Sequence, residues 1–294
     1  MSRRTLAPFA RRLLTVTENE SLGAYRVLKA ADPDGPLPAA GQFAMLAAAE
    51  RWGAGEDERP YLPRAFSYAR FRDGEAHFLL EDVGPGTRRL CELRAGEGIW
   101  LLGPLGQGFT APEQGRRALL VGGGVGIAPL AIWQDQLCAG EANSENASNS
   151  ENVPHTGAGL PLGSTHATVL LGFRDGAHAV GAALLAHSRL ASDDGSIGHD
   201  GLVTDLLRQE LNYDENVTVY ACGPEPMLEA VRALCAQRDV PAQLALEAGM
   251  ACGFGACYGC VVPAREGYLR VCIDGPVVDA AELERVGAHA GSAA

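Results

Sequence analysis

The 294-residue sequence has no excess of positive charge, no membrane-length apolar run and no apolar core behind its opening arginine pairs. Its 36 acidic residues outnumber 24 basic ones, for a formal net charge of −12. An acidic surface repels nucleic acid and anionic membranes, so neither is expected as a partner. No apolar stretch approaches the length that crosses a bilayer. The opening MSRRTLAPFARRLLTVT suits a basic first strand or a transit segment, but no apolar core follows either arginine pair, which argues against secretion. The expected compartment is cytoplasmic, where disulfides are rare. Also missing are a strict G-x-G-x-x-G and the second CxxC or CxxH pair that structural zinc sites use.

What is present is cysteine, concentrated in one place. Cys252, Cys257, Cys260 and Cys272 follow C-x4-C-x2-C, then eleven residues and a fourth Cys. That opening spacing is the plant-type [2Fe–2S] pattern. Gly253, Gly255 and Gly259 give the loop freedom to reach φ > 0 and to turn amide N–H groups toward inorganic sulfur. Zinc and unrelated thiols are the competing readings, and the spacing favours the two-iron cluster. Cys91, Cys138, Cys222 and Cys235 show no metal spacing among themselves.

From about residue 9 to 115 the chain reads as short β-compatible runs broken by Gly and Pro: RRLLTVTEN, GAYRVLKA, GQFAMLAA, RAFSYARF and AHFLLEDV. Such a series predicts an antiparallel barrel or a sandwich. Within it, Arg64-Ala65-Phe66-Ser67 sets an arginine and a hydroxyl, both suited to phosphate, around an aromatic suited to a flavin ring; the alternative is a half-exposed strand. Gly84-Pro85-Gly86-Thr87 offers bare amides to a pyrophosphate, or is an ordinary turn with Thr87 as N-cap. Gly103 to Phe109 reads as a glycine-rich loop.

A second pattern begins at Ala118. An apolar strand to Val121 feeds a glycine loop, Gly122-Gly123-Gly124-Val125-Gly126, and a helix with Pro129 near its first turn. This order is the dinucleotide-binding arrangement. Residues 138–166 are polar and simple, and read as a flexible surface insertion. Alternation then resumes: a strand at 167–174, helices at 181–190 and 201–211, a strand at 217–223, a helix from Pro224 to Cys235 and a strand at 242–247. A parallel sheet follows, with ligands beyond the carboxyl ends of its strands. Gly122–Gly126 and Cys222-Gly223-Pro224 both sit at such ends and are expected to face one pocket. After the second strand of this half, Arg174 suits a 2′-phosphate and Asp175 a free 2′-hydroxyl; NAD is the reading preferred. The domain boundaries are 1–115 for the barrel, 116–240 for the nucleotide domain and 241–294 for a small cluster domain.

Taken in this order, these marks resemble the ferredoxin-reductase superfamily. LEAGMACGFGACYGCVV followed by RVCIDGPVV resembles, more narrowly, the electron-transfer subunits of NAD-dependent (type B) dihydroorotate dehydrogenases. The resemblance spans nearly the whole chain except 138–166 and the extreme ends. It implies FAD held by Arg64, Ala65, Phe66, Ser67, Leu79, Leu80, Glu81, Gly86 and Thr87. It also implies NAD received by Gly122, Gly123, Gly124, Gly126, Pro129, Cys222, Gly223 and Pro224, with a [2Fe–2S] cluster on the four cysteines. The implied partner is an FMN-containing catalytic subunit, in a heterotetramer of two catalytic and two electron-transfer subunits. Electrons from dihydroorotate would pass from FMN through the cluster and FAD to NAD, in pyrimidine (UMP) biosynthesis. A flavoprotein subunit of an NAD(P)H–ferredoxin oxidoreductase or sulfide dehydrogenase shares the architecture and is the alternative. Phe66 departs from the superfamily, where many members have Tyr: ring packing survives, but a hydroxyl hydrogen bond is lost.

Overall fold

The computed structural model describes residues 11–53, 60–147 and 167–286, with backbone alone for 140–147. The first half is β1 (Arg12–Leu22), β2 (Tyr25–Ala31), β3 (Phe43–Ala48), β4 (Arg64–Arg72), β5 (Glu75–Leu80), the short helix α1 (Pro85–Cys91) and β6 (Gly98–Leu105). These strands close antiparallel in the order β1-β2-β5-β4-β3-β6, with β6 returning to β1. The architecture is therefore the barrel and not the sandwich. Its sixth strand takes up the start of the stretch read as a glycine-rich loop, since Gly103 and Pro104 lie within β6.

Period-two alternation fills the barrel. Leu14, Val16, Leu28, Leu46, Phe78, Leu80, Ile99 and Leu101 share one buried interior. β3 is buried on both faces: Ala44 and Leu46 point into the barrel, whereas Phe43 and Met45 pack outward in a second cluster with the C-terminal segment.

The second half contains β7 (Arg117–Gly123), α2 (Ile127–Ala147), β8 (Thr168–Phe173), α3 (Gly176–Ala179), β9 (Ser188–Ser192), β10 (His199–Asp200), α4 (Val203–Tyr213), β11 (Val217–Cys222), α5 (Glu225–Gln237), β12 (Ala242–Ala245), the hairpin β13 (Val261–Pro263) and β14 (Tyr268–Arg270), and β15 (Val277–Asp279). The sheet order is β10-β9-β8-β7-β11-β12-β15, parallel except for β15, which runs antiparallel to β12. The cysteine segment is thus an excursion between two neighbouring strands of the nucleotide sheet. β12 lies beyond the expected boundary at 240, yet it pairs with β11.

Two expected elements differ. The run 181–190 is not a helix: it is a 3-10 turn, Val180–Leu184, followed by β9, because parallel pairing with β8 captures Ser188–Ser192. In turn, α2 continues to Ala147, past residue 138 where a loop was expected. That stretch carries Ala and Glu, good helix formers, and no proline before Pro154. The rest of the expected insertion, 148–166, lies outside the described residues.

Barrel and sheet are locked together. Phe109, Trp133 and Tyr220 form an aromatic cluster with centroids 5.3 to 5.8 Å apart. Arg70 and Arg72 of β4 both reach the Asp135 carboxylate on α2, at 2.9 and 2.7 Å.

Candidate functional site

A cavity of about 250 Å³ opens at the seam between barrel and sheet. β4 contributes Ala65, Phe66 and Ser67, and β5 and its exit contribute Leu79, Glu81 and Val83. The helix starts α1 and α2 add Thr87, Gly126, Ala128 and Pro129, and β11 ends there at Cys222. Most residues expected for flavin and nicotinamide therefore meet in one place.

Other expected residues shape the walls from behind. Arg64 donates to the Leu62 carbonyl at 2.6 Å and lies across Gly86, where an added Cβ would fall 2.6 Å from its Nε. Glycine at 86 is the condition for that approach. The Thr87 hydroxyl accepts from the amides of Val83 and Gly84, at 2.9 and 3.0 Å, and donates to the Gly84 carbonyl, so it fixes the turn into α1. Leu80 is wholly buried in the barrel interior, and its side chain does not reach the cavity. Gly122 packs under Leu171, Leu130 and Ile127, while Gly123, Gly223 and Pro224 gather at Met227. Gly124 has open space around it but a φ of +55°, a conformational demand rather than a steric one. Gly126 is the tight point: a Cβ would sit 2.5 Å from the Cys222 carbonyl carbon and oxygen.

Sequence reasoning missed several lining residues, among them Phe43, Leu246, Glu247, Met250 and Pro276. Glu247 carries chemistry. Its side chain is open to the cavity but crowded by protein, and desolvation holds its carboxyl above the usual range. Burial, with the Glu247 charge added, pushes the Cys222 thiol well up, so that thiol presents a neutral, apolar edge. The available signal was an acid placed directly after the apolar strand AQLAL.

Arg174 and Asp175 follow β8, as expected for residues that read a ribose. Arg174 donates to the Glu81 carboxylate at 3.1 Å, tying the nucleotide sheet to the flavin side. Asp175 accepts from the His178 amide at 3.0 Å and lies 2.6 Å from its ring Nδ1. Those two hydrogen bonds hold the Asp175 carboxyl below the usual range.

The four cysteines of the excursion stand close together as two pairs. Cys260 and Cys272 are buried with sulfurs 3.2 Å apart, and Cys252 is hydrogen-bonded to Cys257. Among the described residues no three His, Cys, Asp or Glu are gathered to hold a single metal ion. Two thiols per side is the division that a two-iron core with four thiolates requires. Amides already point at sulfur: Gly259 N–H to Cys257 Sγ and Cys272 N–H to Cys260 Sγ, both at 3.4 Å. Partial desolvation opposes ionisation of Cys252, but amides of Phe254 and Cys257 outweigh it and bring the thiol to about 7. Desolvation and the bond to Cys260 push Cys272 up to about 12. Donor set, glycine turns and amide cradle all fit the iron–sulfur group.

A closed antiparallel barrel, a nucleotide sheet with a cavity at their seam, and an attached thiol cradle define a ferredoxin-reductase-type flavin and nicotinamide oxidoreductase with an iron–sulfur segment. The fold matches that of an NADH-dependent reduced ferredoxin–NADP oxidoreductase with a TM-score of 0.70 at 21% identity, covering 95% of this chain and 92% of that one. It also matches the ferredoxin reductase of carbazole 1,9a-dioxygenase, with a TM-score of 0.57 at 20% identity over 79% of this chain and 66% of that one. Residues 247–284 match the iron–sulfur cluster binding domain of dihydroorotate dehydrogenase B. Over 85% of the chain and 88% of the relative, the sequence is 34% identical to the dihydroorotate dehydrogenase B (NAD(+)) electron transfer subunit of Caldanaerobacter subterraneus subsp. tengcongensis. Identity to the Geobacillus thermodenitrificans subunit of the same name is 37%, over 83% of the chain and 86% of the relative. The chain belongs to the family of dihydroorotate dehydrogenase B (NAD(+)) electron transfer subunits. Among the described residues no helix is long and apolar enough to cross a membrane.

Proposed function

We propose that this subunit takes single electrons from the FMN of a dihydroorotate-oxidising catalytic subunit and returns them in pairs to NAD, in cytoplasmic UMP synthesis. One observation carries the reading: Glu247, Ala248 and Met250 line the cavity, and Cys252 follows two residues after Met250. A single-electron site and a two-electron site therefore share a wall. A bound cluster supplies one-electron exchange, NAD accepts only hydride, and FAD does both.

The chain's own residues divide the work. Phe66, Ser67 and Leu79 form the flavin's bed, with Arg64 above Gly86 as the phosphate-facing cation. Gly126, Pro129 and Cys222 line the facing side of the cavity and would receive the nicotinamide. Cys252, Cys257, Cys260 and Cys272 hold the cluster. Phe254, Tyr258 and Tyr268 stand exposed around it, so the 247–276 face is the docking face for the catalytic subunit, in a complex of two copies of each. No acid/base set for dihydroorotate is needed on this chain.

The test is co-expression with the catalytic subunit, followed by an assay of orotate formation coupled to NAD reduction. A red-brown protein that couples the two supports the reading. A colourless, zinc-replete protein, or a preference for ferredoxin over the catalytic subunit, overturns it.

A further inference from the structure

We infer that Met45 is a positioning residue for electron transfer: it seats the cysteine loop flush against the barrel wall that continues into the flavin cavity. This deepens the function proposed above and rests on it.

Met45 is only 2% exposed although it points out of the barrel. Against it lies the backbone of Gly253, the residue after Cys252. A Cβ at 253 would fall 2.5 Å from Met45 Cγ and 2.9 Å from its Sδ, so peptide and thioether are in direct contact. Two residues earlier on the same strand face, Phe43 lines the cavity. Along the chain, Met250 lines the cavity two residues before Cys252. The Cys252 corner is thus joined to the cavity by two short links, one through β3 side chains and one through the chain itself. Both belong to the packing cluster that buries Cys260 and Cys272.

The other end of the excursion is fastened as well. The Gln107 amide donates to the Gly275 carbonyl, and its side chain donates to the Ile273 carbonyl at 3.1 Å. The loop therefore has one resting place, and the thioether fills the space between it and the wall. A flexible, polarisable side chain suits such an irregular gap. Electrons cross packed atoms more readily than voids, and a void's lining loses its contacts outright.

The experiment uses the full chain loaded with FAD and cluster, mixed rapidly with NADH. NADH gives the flavin two electrons and a proton as one hydride; the cluster takes one of those electrons, and the other stays on the flavin. Flavin and cluster bleaching are followed at separate wavelengths, with iron and FAD content and the cluster's visible circular dichroism as checks. In Met45→Ala, flavin reduction should keep its wild-type rate while electron uptake by the cluster slows several-fold. Met45→Leu, close in volume, should restore it. If Met45→Ala does not retain iron, Met45→Val, which removes the sulfur and terminal methyl but keeps γ-carbons in the gap, carries the same comparison. Wild-type cluster uptake in the variant that retains iron, or equal slowing of both phases, overturns the assignment. A wild-type protein whose flavin NADH does not reduce would instead overturn the proposed function.

Discussion

Gly126→Ala tests the pocket at its tightest point. The new Cβ would lie 2.5 Å from the Cys222 carbonyl carbon and oxygen and 2.6 Å from the Gly223 nitrogen, against 3.4 Å for an ordinary contact. The obstacle is backbone on β11, which cannot rotate aside as a side chain does. The glycine loop and the end of β11 must separate by most of an ångström, although β7 and β11 are paired from Arg117–Val217 to Gly122–Cys222. Overpacking of this kind costs about 1–3 kcal/mol. At roughly 2–4 °C per kcal/mol for chains of this size, the melting temperature should fall by several degrees. The wall displaced is the one proposed to receive the nicotinamide, so KM for NADH in a dye-reduction assay should rise while FAD content stays at wild-type level. Gly124→Ala is the control for melting: nothing lies within 4 Å and only the φ of +55° resists, so stability should fall by about 1 kcal/mol. A Gly126→Ala protein with wild-type melting and wild-type KM would refute the close approach.

Cys260→Ser should remove iron and the red-brown colour, read by iron analysis and visible spectra, while FAD stays bound, because Cys260 packs outside the barrel interior. Glu247→Gln should reverse a pH effect. Since desolvation raises the folded carboxyl's pKa, wild type loses stability as pH climbs from the ordinary carboxylate range through that raised value. The Gln variant escapes that loss, but Glu247 is exposed and solvent screens its charge, so it should melt only slightly above wild type at neutral pH, with the difference vanishing in acid; an equal difference at both pH values would contradict the assignment. Tyr258→Ala removes a side chain that is 64% exposed, so melting should not change, but co-purification with the catalytic subunit should weaken; undiminished co-purification places the docking face elsewhere.

Much of this was legible in the residues. Spacing alone marked the four cysteines, because a metal site imposes fixed intervals. The glycine loop at 122–126 and its facing strand end were legible because a strand that meets a helix through glycines has few other uses. β6 was not, since Gly103 and Pro104 look like a break until β1 and β3 are seen pairing on either side. Nor was β9, where helix-compatible residues yield to a ladder set by β8. The lining at Phe43, Glu247 and Pro276 depends on how the excursion folds back onto the barrel, and no local pattern encodes a contact across that distance. Leu79 and Leu80 show the limit from the other direction. Adjacent strand residues face opposite sides, so only one of the two side chains can meet the flavin.

The excursion of residues 247–276 starts and stops at the same spot: the Leu246 amide donates to the Pro276 carbonyl at 2.8 Å, and β12 and β15 lie side by side. Topologically it is a cassette clipped to one rim of the molecule. A tight turn in its place would still close β12 onto β15 as an ordinary hairpin. The shortened protein would lose the four cysteines and, with Glu247, Ala248, Met250 and Pro276, one side of the cavity wall as well.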